Sequence, residues 1–90
     1  MGEKQKVVIT KLVIDALKPR ELSIIDLAAI LCSIDKVEQV SISVREVDVK
    51  TETIRITVQG NDLEYPIISD VLVESGIAIR SIDEVSAEKP

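Results

Sequence analysis

The chain has 90 residues, with sixteen Asp and Glu against eleven Lys and Arg for a net charge of −5, one cysteine and no histidine. That length makes one domain whose core has little to spare, and the acidic balance argues against nucleic acid, which needs clustered Lys and Arg. Without histidine there is no Ser-His-Asp triad and no His-based zinc site, and one cysteine permits neither an internal disulfide nor a CxxC metal clamp. No apolar run reaches the roughly 18 residues that span a bilayer, and no signal peptide stands at the N-terminus. A soluble, cytoplasmic protein with no membrane partner is therefore the expectation.

The first six residues are polar and expected to fray. Val7–Leu17 is apolar on both parities, with Val8, Leu12, Ile14 and Ala16 on one and Val7, Ile9, Val13 and Leu17 on the other. Such a run marks a central strand covered on both faces, and Lys18-Pro19 ends it because proline cannot donate to the ladder. Ser23–Ile34 reads as a helix with Ser23 as N-cap, and Ile24, Leu27, Ala28, Leu31 and Ile34 share its buried face. Val40–Gly60 is the most legible stretch: Val40, Ile42 and Val44, then Ile54, Ile56 and Val58, alternate with polar residues. Period-two alternation predicts an antiparallel hairpin with one buried face, turning near Lys50–Thr51. After the Gly60-Asn61-Asp62 breaker, Leu63, Ile67, Ile68, Val71 and Leu72 form a second helical stripe. Pro66 places the start of that helix at about Tyr65, and Gly76 is its stop. Ile77–Val85 reads as the last strand and Ser86–Pro90 as a tail.

Strand, helix, strand, strand, helix, strand is the split βαβ arrangement, so the expected fold class is α+β. It is a ferredoxin-like βαββαβ sandwich, a four-stranded antiparallel sheet with two helices on one face. The whole chain, 1–90, forms a single domain with an ordered core of about residues 7–86. With both helices on one face, Val7, Ile9, Val13 and Leu17 are left for the other. Exposed apolar surface of that kind marks an interface, so a second copy is expected to cover it, unless Lys11 and Asp15 keep that face wet.

Chemistry is harder to find. Cys32 has no partner base and reads as a buried, inert thiol. Three glycines leave no phosphate-cradling loop, and Lys18-Pro19-Arg20-Glu21 lacks the glycines of an acylphosphatase-type loop. The strands hold no aromatic for base stacking. What remains is carboxylates: the topology brings Asp15, Glu46, Asp48 and Glu52 toward one end of the sheet, and Asn61, Asp62, Asp83 and Glu84 toward the other. Calcium takes about six to eight oxygen ligands, some of which such groups can supply. The alternative is a solvated acidic rim neutralised by Lys18, Lys50 and Arg45, whose pairs contribute little.

The segments LVIDALKP at Leu12–Pro19, EVDVKTETIRITVQG at Glu46–Gly60 and IRSIDEV at Ile79–Val85 resemble an archaeal uncharacterised family, domain of unknown function 211. The resemblance runs from about Leu12 to Val85 in order and spacing. It implies a ferredoxin-like domain that assembles into rings of several copies, an association with calcium, and no established enzymatic activity. Carried over by position, the acidic members of these segments, and so the candidate metal ligands, are Asp15, Glu46, Asp48, Glu52, Asp83 and Glu84. Arg20 and Arg80 stand where the family tends to have histidine; an arginine there suits pairing with a carboxylate across a subunit boundary.

The functional expectation is a non-enzymatic, ring-forming homo-oligomer whose contacts are tuned by divalent cations such as Ca2+. The alternative is a small-molecule regulatory module of the ACT type, although the glycine such modules favour after the first strand is missing from Lys18-Pro19-Arg20.

Overall fold

The computed structural model describes residues 6–90. Its elements are β1 (Val8–Pro19), α1 (Ile24–Cys32), β2 (Val37–Val47), β3 (Thr51–Gly60), α2 (Tyr65–Glu74) and β4 (Ala78–Glu88). They form one antiparallel sheet in the order β2-β3-β1-β4, the predicted α+β arrangement with β1 and β3 inside and β2 and β4 at the edges.

Local chemistry sets the element boundaries. The Ser23 hydroxyl accepts hydrogen bonds from the backbone N–H groups of Ile25 (3.0 Å) and Asp26 (3.4 Å), filling donors that the first turn leaves free. Leu27 and Leu31 are fully buried, and Ile24, Ala28 and Ile34 half-buried. Pro66 sits in the first turn of α2, and Gly76, at φ +85°, ends that helix in a left-handed conformation. Ile68 and Leu72 anchor α2, whereas Ile67, expected on the buried stripe, is exposed. The tight turn between β2 and β3 spans Asp48–Lys50, with Asp48 N–H donating to the Thr51 carbonyl at 2.8 Å, so Thr51 already belongs to β3. Ser86–Glu88 is strand rather than tail, because Glu88 lies opposite Val8.

The core lies between sheet and helices: Leu12, Ile14, Ala16, Ile54, Ile56 and Val58 meet Leu27, Leu31, Ile68 and Leu72. The other side of the sheet is not the apolar face that the sequence suggests. Val7, just before β1, is exposed, but Val13 is only 7 % exposed within one copy, Leu17 is half-buried, and Ile9 packs at the margin of the core. A register shift between Ile9 and Lys11 breaks the alternation there. In the paired rows, Val13 has Thr57 and Ser41 on one side and Glu84 on the other, while Leu17 has Thr53 and Glu46. Neighbouring strands thus supply polar residues beside every apolar position that β1 offers.

Uncovered apolar groups lie on the edge strands and at the end of the sheet beyond the helices. Twelve residues of β1 span about 40 Å at ~3.3 Å per residue, whereas the nine of α1 cover only about 14 Å at ~1.5 Å each. The strands overhang the helix layer. Val47 on β2 and Val49 in the turn are exposed at that end, whereas Val44 on β2 and Ile82 and Val85 on β4 share rows with the buried Ile54, Ile14 and Leu12 and are exposed because they sit on the edge strands.

Candidate functional site

The six candidate carboxylates do not converge. In the sheet, paired residues point the same way, and this separates them. Glu46 stands opposite Thr53, and Thr53 opposite Leu17, on the helix-free face. Glu52 stands opposite Lys18 and points to the other side. There Lys18, 1 % exposed, places its Nζ 2.7 Å from Glu52 Oε1 and 2.9 Å from the Pro19 carbonyl, and it also donates to the Leu22 carbonyl. All three ammonium protons have acceptors, so this buried charge is fully partnered.

Asp15 shares the face of Glu46 but holds Arg80, with Oδ2 3.9 Å from the guanidinium Nε. Arg80 therefore finds its carboxylate within its own chain. Asp48 accepts from the Val49 N–H at 2.8 Å and stabilises the turn. In the middle of β4, not at the other end, Asp83 accepts from the Ser81 hydroxyl at 2.7 Å, and Glu84 pairs with Lys11 at 2.9 Å beside Val13. Asp62 instead meets Lys6 at 3.5 Å and Lys36 at 3.6 Å, and Glu64 meets Lys36 at 3.5 Å. The carboxylates of Glu64 and then Asp62 hold the Lys36 ammonium's pKa above its ordinary 10.5. Among the described residues, no group of three or more Asp, Glu or Cys gathers in a metal-binding arrangement.

Two of the candidates do come together, with groups that the sequence does not reveal as neighbours. Glu46 and Asp48 line a cleft of about 460 Å³ on the helix-free face, together with Leu17, Val47, Thr51, Thr53 and Arg80. One paired row of the sheet, Glu46–Thr53–Leu17–Ala78, crosses all four strands here. Ala78 is small, which leaves room at the β4 side. A β-bulge at Arg80, between the Asp15–Ser81 and Ala16–Ile79 pairs, re-aims its side chain toward the cleft. Arg20 lies apart, in a shallow depression with Glu21, Val49 and Lys50. Cys32, expected to be buried, is exposed, because it falls on the flank of α1 beyond the Leu27–Leu31 stripe.

Free strand edges complete the picture. β2 and β4 each have one unpaired side, and both are interrupted by register shifts that leave Arg45 unpaired on β2, and Arg80 and Asp83 on β4. Charged bulges of this kind guard an edge against indiscriminate pairing. Among the described residues, no helix is long and apolar enough to cross a membrane.

The chain is 41 % identical over 81 residues to the uncharacterized protein MJ0319 of Methanocaldococcus jannaschii, a match that covers 90 % of this chain and 84 % of that one. Residues 10–90 match the family described as uncharacterized ArCR. The chain belongs to that family, domain of unknown function 211.

Proposed function

We infer that this chain works as a non-enzymatic, homo-oligomeric interaction protein whose copies meet edge to edge, β4 of one beside β2 of the next. The observation that carries this is the position of the uncovered apolar residues: Ile82 and Val85 border one free edge, and Val44 and Val47 the other. Different surfaces on opposite sides of one sheet make a head-to-tail contact, and such contacts close into rings when the rotation allows. Strand direction fits as well. Each strand runs antiparallel to its neighbour in β2-β3-β1-β4, so a following β2 continues the alternation without a break. The charged bulges limit a continuous ladder, which leaves side-chain burial as the main contribution, at about 25 cal/mol per Å² of apolar area.

Native mass spectrometry tests the reading against the 9.9 kDa chain mass. A mass of three or more chains is expected, and Val85→Asp or Val44→Asp should each reduce it to single chains. A monomeric wild type, or a strict dimer, removes the ring. Calcium enters this reading only where carboxylates of adjacent copies combine, since one copy brings just Glu46 and Asp48 to the cleft. Repeating the mass measurement with calcium and with chelator tests that separately; an unchanged mass takes the ion out of the assembly.

A further inference from the structure

The cleft on the helix-free face combines features that a solvated acidic rim does not. It has one guanidinium, from Arg80; two carboxylates, from Glu46 and Asp48; two hydroxyls, from Thr51 and Thr53; and one aliphatic wall, Leu17, with Val47 contributing to the rim from a register position whose side chain belongs to the opposite face. At about 460 Å³ it falls within the ~300–1,000 Å³ usual for small-molecule sites. Arg80 meets Asp15 only through Nε, at 3.9 Å and with the side chain half exposed. Its terminal nitrogens therefore remain available for a bidentate carboxylate.

We propose that this cleft binds a basic α-amino acid. Arg80 takes the α-carboxylate, Glu46 and Asp48 take the two cationic groups, and Leu17 packs against the methylene stem between them. Charge selects this class. The lining carries two negative groups and one positive, and Asp15 stands 3.9 Å from that guanidinium, so the site has an excess of negative charge that suits a ligand with one carboxylate and two cations. A bare divalent cation would meet the guanidinium as a like charge, and a dicarboxylate would face Glu46 and Asp48. Geometry fits too: β2 and β4 are three strand spacings apart, about 14 Å, and Arg80 reaches inward from β4 to meet Asp15 and line the cleft beside Leu17, both on β1. Every lining residue comes from one chain, and Val47 also borders the β2 edge of the assembly inferred above, so binding and mass are read on the same samples.

Isothermal titration with L-lysine, L-norleucine, cadaverine and calcium chloride tests the proposal, with light scattering of the same samples recording the mass. L-lysine should bind, and norleucine (no side-chain ammonium) and cadaverine (no carboxylate) should each bind at least tenfold more weakly. Arg80→Gln should abolish the preference for L-lysine over cadaverine, and Glu46→Gln should bring L-lysine toward norleucine. Both residues are exposed, and circular dichroism should show each variant folded as the wild type. No heat with L-lysine at millimolar concentration, equal binding of all three organic probes, or saturation by calcium that L-lysine does not displace would each overturn the proposal. The mass record keeps this outcome apart from the fate of the ring.

Discussion

Lys18 and Glu52 face each other across β1 and β3 on the helix side of the sheet, Nζ to Oε1 at 2.7 Å, with the lysine side chain 2 % exposed. The same ammonium holds the carbonyls of Pro19 and Leu22. It thereby ties the turn after β1 back to the sheet just before Ser23 starts α1. Lys18→Met should cost about 3–5 kcal/mol, because the Glu52 charge and two carbonyls lose their partner together. Denaturant unfolding measures this, and Glu52→Gln should cost less, since the carbonyl bonds survive it.

Gly60 and Gly76 are constrained for different reasons, and alanine should separate them. A Cβ on Gly60 would stand 2.0 Å from the Lys36 carbonyl oxygen, so the chain between α1 and β2 must move. Gly76 has open space, with Pro19 Cγ 3.7 Å away, but a φ of +85°. Gly76→Ala should cost about 1–2 kcal/mol of left-handed backbone strain. Gly60→Ala should cost more and disturb the amide resonances of residues 36 and 61, whose backbones are hydrogen-bonded to each other.

Lys36 should give a small stability loss at high pH. Glu64 and Asp62 raise its folded-state pKa above 10.5, so the folded chain holds that proton more tightly than the unfolded one. The resulting stabilisation is complete below the unfolded value and is lost as pH rises through the folded value. Between about pH 9 and 12, the range in which lysine titrates, Lys36→Met should flatten part of the wild-type decline in melting temperature.

Val13 and Val85 should fail differently. Val13 is 7 % exposed inside one copy, whereas Val85 is 53 % exposed at the β4 edge. Val13→Asp therefore buries an unpaired charge and should lower the melting temperature of the chain at any concentration. Val85→Asp should leave the fold intact and change only the mass in solution. Equal loss of melting temperature in both would mean that the β4 edge is part of the fold's own core.

Cys32 is exposed at the end of α1. A thiol reagent should modify one group per native chain without denaturant, and Cys32→Ser should alter stability by no more than about 0.5 kcal/mol. Protection of the thiol in the assembled protein would place a neighbouring copy on that flank.

By itself, the sequence determined every element of this protein and their order. Alternation over Val40–Gly60, Ser23 as a cap, Pro66 and Gly76 as start and stop are local features, read within one or two turns of chain. It also showed which carboxylates were candidates, but not their company. Whether Glu52 joins Glu46 depends on side-chain parity across three paired strands, and a single register shift reverses it. The same holds for the open face: Val13 and Leu17 look unpartnered along β1, yet Thr53, Thr57 and Glu84 beside them come from strands dozens of residues away. Arg80 entered the cleft through a bulge that no local pattern announces, and Val85 stayed uncovered because it sits on an edge strand, although it lies opposite the buried Leu12. Local preference wrote the elements; pairing register and strand order, which are properties of the assembled sheet, decided what each surface presents.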